Sequence, residues 1–158
     1  MTQRLKTVAC FLLISMVSLL TYNSVQANEP ISEFEQSMEE YRGKVVYLDF
    51  WASWCVPCRK SFPWMNTMQT KHKDKGLVVL SVNLDAQAIL AEKFLQETPA
   101  NFSIIYDAKG KLANKFQLKG MPSSYLFNRQ GKLISTHNGF NRKKQQQYEQ
   151  EIAQALSQ

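Results

Sequence analysis

Cys55 and Cys58, in the run Trp54-Cys55-Val56-Pro57-Cys58, stand at a spacing that can do chemistry. Two thiols separated by two residues can close a disulfide within one turn of chain, or hold a soft metal with help from further ligands. The surroundings must choose between these. A two-residue loop constrains an unfolded chain little, so an inert staple would gain little here. A metal site needs more ligands, and the two histidines of the chain, His72 and His137, stand at no spacing that completes one. Both are expected as isolated surface residues. Redox catalysis is the favoured reading. A copper-binding module using Cys55, Cys58 and His137, and a non-catalytic adaptor, are the two alternatives.

The elements around the pair must position it. Lys44-Val45-Val46-Tyr47-Leu48-Asp49-Phe50 is an apolar run of strand-forming residues. From Arg59 to Lys73, Phe62, Met65, Met68 and Gln69 recur at helical spacing. The cysteines therefore fall where a strand hands over to a helix, whose free N–H groups and dipole favour a thiolate. Cys55 is expected just outside that helix and exposed, Cys58 inside its first turn and shielded. That asymmetry suits an attacking and a resolving thiol. Asp49 follows four apolar residues and precedes Phe50-Trp51, so it is expected to be buried, with a raised pKa and a role in proton transfer. Trp51 is expected in the core, and Trp54 as a partly exposed wall beside Cys55 that contacts substrate. Arg59 is a helix-surface charge that would also favour the thiolate.

The rest of the chain alternates. Asn28 to Pro30 reads as a linker, Ser32 to Glu35 as a capping box, and Ile31, Phe34, Met38 and Tyr41 as one face of a helix ending at Gly43. Pro63 should kink the active helix, and Lys71 to Gly76 is a polar turn. A second buried strand runs from Leu77 to Leu84, closed by Asp85. A helix follows from Ala86 to before Pro99, then a strand from Asn101 to Tyr106 and a short helix through Leu112 and Phe116. Gly120-Met121-Pro122 is a break. Ser123–Phe127 and Lys132–His137 form a hairpin around Asn128–Gly131, and a last helix carries Tyr148, Ile152, Ala155 and Leu156. Strands alternating with helices predict an α/β fold, a mixed sheet with helices on both faces.

The 158 residues allow one domain, and an apolar share of 44% is enough for a core. Residues 1–27 read as a secretory signal: Arg4 and Lys6, an apolar stretch from Val8 to Leu20, then Val25-Gln26-Ala27 at the cleavage position. The domain is then 28–158, and the expected location is the periplasm, with an uncleaved inner-membrane anchor as the alternative. Cys10 leaves with the signal. Without Arg4 and Lys6, 17 Lys and Arg face 13 Asp and Glu, a net +4. That mild excess suits solubility and argues against nucleic acid as a partner.

Leu48 to Arg59 resembles the active-site segment of the thioredoxin superfamily, and Gly120-Met121-Pro122-Ser123-Ser124-Tyr125-Leu126-Phe127 resembles its second signature. Trp51-Ala52-Ser53-Trp54-Cys55 with Arg59 and Pro63 is most similar to the TlpA/ResA-like periplasmic thiol-disulfide oxidoreductases. The resemblance covers about residues 31–157. It implies a thioredoxin-like fold, a cis peptide before Pro122, and a Met121 backbone that pairs with an extended substrate segment. The 36 residues between Asp85 and Pro122 exceed those of plain thioredoxin, and the surplus matches a TlpA-type helix and strand inserted at about Ala86 to Tyr106. Two positions depart from the pattern. The TlpA-like group commonly has Asn at Asp49, and thioredoxin has a lysine near Ser81. The expected activity is reduction of protein disulfides through a mixed disulfide, with no metal or organic cofactor. A membrane thiol-disulfide reductant would recycle the dithiol.

Overall fold

The computed structural model describes residues 29–158. The expected signal sequence, Cys10 and the domain's expected first residue lie outside them. Strand β1 (Val45–Trp51) is buried at all seven positions. A strand buried on both faces must be apolar throughout, which the run Val-Val-Tyr-Leu dictates, with Asp49 as the one ionisable exception. β1 is the centre of a five-stranded sheet. It pairs in parallel with β2 (Leu77–Asn83), which pairs in parallel with β3 (Ser103–Tyr106). On its other side it pairs antiparallel with β4 (Ser123–Phe127), and β4 with β5 (Leu133–Asn138). The order is β3-β2-β1-β4-β5.

Helices cover both faces, as expected. One face of β1 (Val45, Tyr47, Trp51) packs with Cys58, Phe62 and Met65 of helix α2 (Val56–His72). Ala91 and Phe94 of α3 (Ala88–Glu97) and Tyr148 and Ile152 of α5 (Arg142–Leu156) complete that layer. The opposite face (Val46, Leu48, Phe50) packs on Phe34 of α1 (Pro30–Glu40) and Leu112 of α4 (Lys111–Lys115). Helix α3 and strand β3 occupy the segment where the extra helix and strand were expected, and β3 forms one edge of the sheet. Among the described residues no helix is long and apolar enough to cross a membrane.

Three local expectations are corrected. No capping box forms at Ser32: α1 begins at Pro30, behind Glu29, and the Ser32 hydroxyl donates to the Glu29 carbonyl instead. Proline at the first helical position has no N–H to satisfy and its φ is already helical, so it starts the helix earlier than the serine would. The polar turn after α2 is shorter than predicted, because α2 runs to His72 before a 3-10 turn at Lys73–Lys75 and Gly76 at φ +90°. His72 and His137 are both buried, not on the surface. The helix α2 continues through Pro63, and the Thr67 hydroxyl donates to the Pro63 carbonyl.

Candidate active site

Cys55 is the N-cap of α2, with extended φ and ψ, and Cys58 is in the first turn. The two are joined in a disulfide with 5.2 Å between Cα atoms. Free N–H groups of a helix start need acceptors, and here a sulfur supplies one: the Cys58 N–H donates to Cys55 Sγ at 3.3 Å. The preceding loop is held from β1 and β2. Cys55 N–H donates to the Ala52 carbonyl, and Leu84 N–H to that of Trp51.

Cys55 was expected to be exposed. In the disulfide form it is only 4% exposed, while Trp54 beside it is 66% exposed. The tight turn leaves the Trp54 side chain outside and the Cys55 side chain inside. Cys55 nonetheless lines an open cleft of about 610 Å³, together with Trp54, Val56, Pro57, Leu118, Lys119, Gly120 and Met121. The far wall of this cleft is the segment ending in the cis Met121–Pro122 peptide. Cys58 is fully buried.

Asp49 is 2% exposed, and its Oδ2 has no hydrogen-bond partner among the described residues. Burial alone pushes its carboxyl well above the usual carboxylate range. It lies between Tyr47 and Trp51 on the sheet face that packs with Cys58. Ser81 is its register partner on β2, but the Ser81 hydroxyl accepts from Trp51 Nε1 at 3.2 Å. Arg59 does not turn to the sulfurs. Its guanidinium lies over the Phe94 ring at 5.2 Å, and Nη2 is 3.6 Å from Glu97 Oε2.

Other residues of the site are not visible as such in the sequence. Asp85 is buried after β2 and accepts from Ser53 N–H (2.9 Å), the Ser53 hydroxyl (2.8 Å) and Asn83 Nδ2 (2.8 Å). It ties the loop before Trp54-Cys55 to the sheet. Its place at the end of an apolar strand was the available signal. Leu118 and Lys119 join the cleft with no motif to announce them. His137 does not approach the cysteines as a ligand: both ring nitrogens are engaged, with Ser124 Oγ at 3.2 Å and Glu151 Oε2 at 2.7 Å.

The model of the Redoxin family matches residues 24–155. The chain belongs to the Redoxin family. Within that family, this Redoxin chain is 27% identical over 150 residues to the thiol-disulfide oxidoreductase ResA of Bacillus subtilis, covering 85% of the present chain and 84% of ResA. Against ResA of Bacillus thuringiensis subsp. konkukian, identity is 31% over 108 residues, 68% of this chain and 62% of the relative. The chain thus spans less than two thirds of that relative's length. Among solved structures, a Chlorobium tepidum protein assigned as thiol:disulfide interchange protein DsbE superposes with a TM-score of 0.74 at 50% identity, covering 75% of this chain and 84% of its own. StoA from Bacillus subtilis gives 0.59 at 28% identity, covering 68% and 82%. The α/β architecture of this Redoxin chain is thioredoxin-like.

Proposed function

We propose that the protein is an exported thiol-disulfide oxidoreductase that reduces protein disulfides. The observation that carries this reading is the placement of Cys55 Sγ on the α2 N-terminus, at the foot of an apolar cleft whose other wall is the cis Met121–Pro122 segment. The names of ResA relatives and the Redoxin match support thiol-disulfide exchange as the reaction class. The Cys55 thiolate attacks one sulfur of a substrate disulfide. A Cys55–substrate bond forms as the substrate S–S bond breaks, and the electron pair leaves on the second substrate sulfur. Cys58 then gives its proton to Asp49 and attacks Cys55 Sγ. That releases the first substrate sulfur as a thiolate and leaves the Cys55–Cys58 disulfide. Trp54 and the Met121 backbone hold an extended protein segment against Cys55.

Cys58→Ser should trap covalent complexes with substrate, because attack proceeds and resolution cannot. Cys55→Ser should trap none. Equal trapping by both variants, read on non-reducing gels, would overturn the order of attack. Net reduction requires a thiol reductant that restores the dithiol, and an exported protein would meet it at the membrane. Export itself rests on Arg4, Lys6, the apolar stretch and Val25-Gln26-Ala27. Intact-mass measurement of protein from the periplasm should give a chain beginning at Asn28; a mass that retains residues 1–27 would make it membrane-anchored.

A further inference from the structure

Beside Asp49, on the sheet face covered by α2 and α5, runs a buried polar chain that the exchange reaction does not by itself require. Register sets it up. Asp49 stands directly across from Ser124 on β4, and Ser124 directly across from His137 on β5. Direct cross-strand neighbours point to the same face, with Cβ atoms about 4.5–5.5 Å apart. Tyr47, two residues before Asp49 on that face, reaches across so that its Oη lies 2.6 Å from Ser124 Oγ. Ser124 Oγ is 3.2 Å from His137 Nδ1, and His137 Nε2 is 2.7 Å from Glu151 Oε2 on α5. The imidazole is held between two rings, Tyr148 at 3.9 Å and Tyr47 at 6.1 Å, both nearly parallel to it. Tyr47, Ser124 and His137 are buried, and Glu151 reaches the surface.

The chemistry of the atoms gives this chain a direction. A carboxylate only accepts, so His137 Nε2 carries the hydrogen bonded to Glu151. With the imidazole neutral, Nδ1 accepts from the Ser124 hydroxyl, and Ser124 Oγ accepts from Tyr47. Every hydrogen then points outward, and the Tyr47 oxygen is left to accept at the inner end, beside Asp49. Burial opposes ionisation of Glu151, yet hydrogen bonds from His137, Ser135 and Gln147 hold its carboxyl below the ordinary value. Burial and then the nearby Asp49 charge raise Tyr47 well above its own. The titratable groups facing the chain are Asp49 and Tyr47 of β1, His137 of β5, and Tyr148 and Glu151 of α5, with Cys58 of α2 packed on the same sheet face.

We propose that Tyr47, Ser124 and His137 are positioning residues that carry the Asp49 proton to Glu151 and solvent along the sheet face covered by α2 and α5. This rests on Asp49 accepting the Cys58 proton. During resolution a bound substrate segment covers the cleft, so the proton left on Asp49 needs another exit. The Asp49 proton moves to Tyr47 Oη as the Tyr47 hydrogen passes to Ser124, and the Ser124 hydrogen to His137 Nδ1. An imidazolium forms beside the Glu151 carboxylate, and its Nε2 hydrogen leaves through Glu151. One proton enters and one leaves, with no change of oxidation state. Asp49 has no direct hydrogen bond to the chain in the disulfide form, so the first transfer requires its carboxyl to rotate toward Tyr47 Oη.

The reduced full-length protein, reacted with the disulfide dithiobis(nitrobenzoate), releases thionitrobenzoate twice: on attack by Cys55, then on resolution by Cys58. The second release is followed across the neutral pH range for Asp49→Asn, Tyr47→Phe, Ser124→Ala and His137→Gln, and for each of the last three combined with Asp49→Asn. Urea unfolding reports the stability of each variant, and Tyr47→Phe keeps the ring packing if a smaller side chain unfolds the protein. The three chain variants are expected to slow the second release about tenfold and displace its pH profile, a small part of the range for proton transfer. In the Asp49→Asn background they should add nothing. Slow resolution in Asp49→Asn with ordinary rates and profiles in the other three overturns the relay and leaves Asp49 as acceptor. An ordinary second release in Asp49→Asn overturns both. Slowing that persists in the double variants makes the chain merely structural, and also overturns the relay.

Discussion

At the scale of single residues, Asp49 is the costliest choice in the molecule. A carboxyl with a partnerless buried oxygen costs stability, since an apolar or amide side chain would fit the strand with less penalty. The cost has a pH signature. Between its ordinary value of 3.8 and its raised folded value, Asp49 keeps a proton in the folded protein that the unfolded chain has lost, and above that range it is a carboxylate able to accept one. The folded state therefore binds more protons in the window from 3.8 up to the raised folded value. Stability should be full below that window, fall as pH rises through it, and level off above. Asp49→Asn should remove this slope and make the protein more stable at alkaline pH, by more than the roughly 0.5 kcal/mol of a neutral surface change. Urea unfolding at several pH values reads it, and parallel curves for both proteins would count against a buried, protonated Asp49. The burial of Asp49 was legible because it depends on its immediate neighbours, four apolar residues before and two aromatic ones after. The absence of a partner was not, since that depends on the Ser81 hydroxyl donating to the Ser103 carbonyl of a neighbouring strand instead.

At the scale of elements, the same contrast holds. Strand β1, helix α2 and the seat of the cysteines between them follow from local patterns, and the structure has them within a few residues of expectation. His137 went astray for a register reason. β4 and β5 pair Phe127 with Leu133 next to the turn, which counts outward to Ser124 opposite Thr136. A bulge between Leu126 and Phe127 shifts the count by one and brings His137 opposite Ser124, onto the buried face. An irregularity of one residue cannot be read from alternation. Asp85 is the other long-range case. It joins the end of β2 to the loop before α2, and its acceptor oxygens satisfy Ser53 and Asn83 at once. Asp85→Ala should strand these buried donors and cost about 1–3 kcal/mol in urea unfolding. It should also loosen the Trp54-Cys55 loop, seen as faster alkylation of reduced Cys55. Unchanged stability and alkylation would mean that the β1 and β2 backbone contacts alone hold the loop.

At the scale of the whole molecule, redox direction and stability are one quantity. The difference in folding free energy between disulfide and dithiol forms measures how far the fold moves the potential from that of the unfolded Cys-x-x-Cys segment. Two terms oppose each other. Closing so short a loop restricts the unfolded chain by about 2 kcal/mol, which favours the disulfide form. Stabilising a Cys55 thiolate favours the dithiol form, and this site does so sparingly. Val56 and Pro57 bring no charge, Arg59 is turned to Phe94 and Glu97, and Cys55 Sγ receives one backbone N–H at the start of α2. Loop closure should therefore win, and the disulfide form should be the more stable by up to about 2 kcal/mol. The same balance places the potential nearer roughly −270 mV than the roughly −120 mV of the strong oxidants of this fold. Urea unfolding with and without reductant measures the first, and equilibration with glutathione the second. The two must agree in sign, which guards against an artefact in either. A dithiol form that outlasts the disulfide form in urea, with a potential near the oxidant extreme, would make the protein a donor of disulfides rather than a reductase.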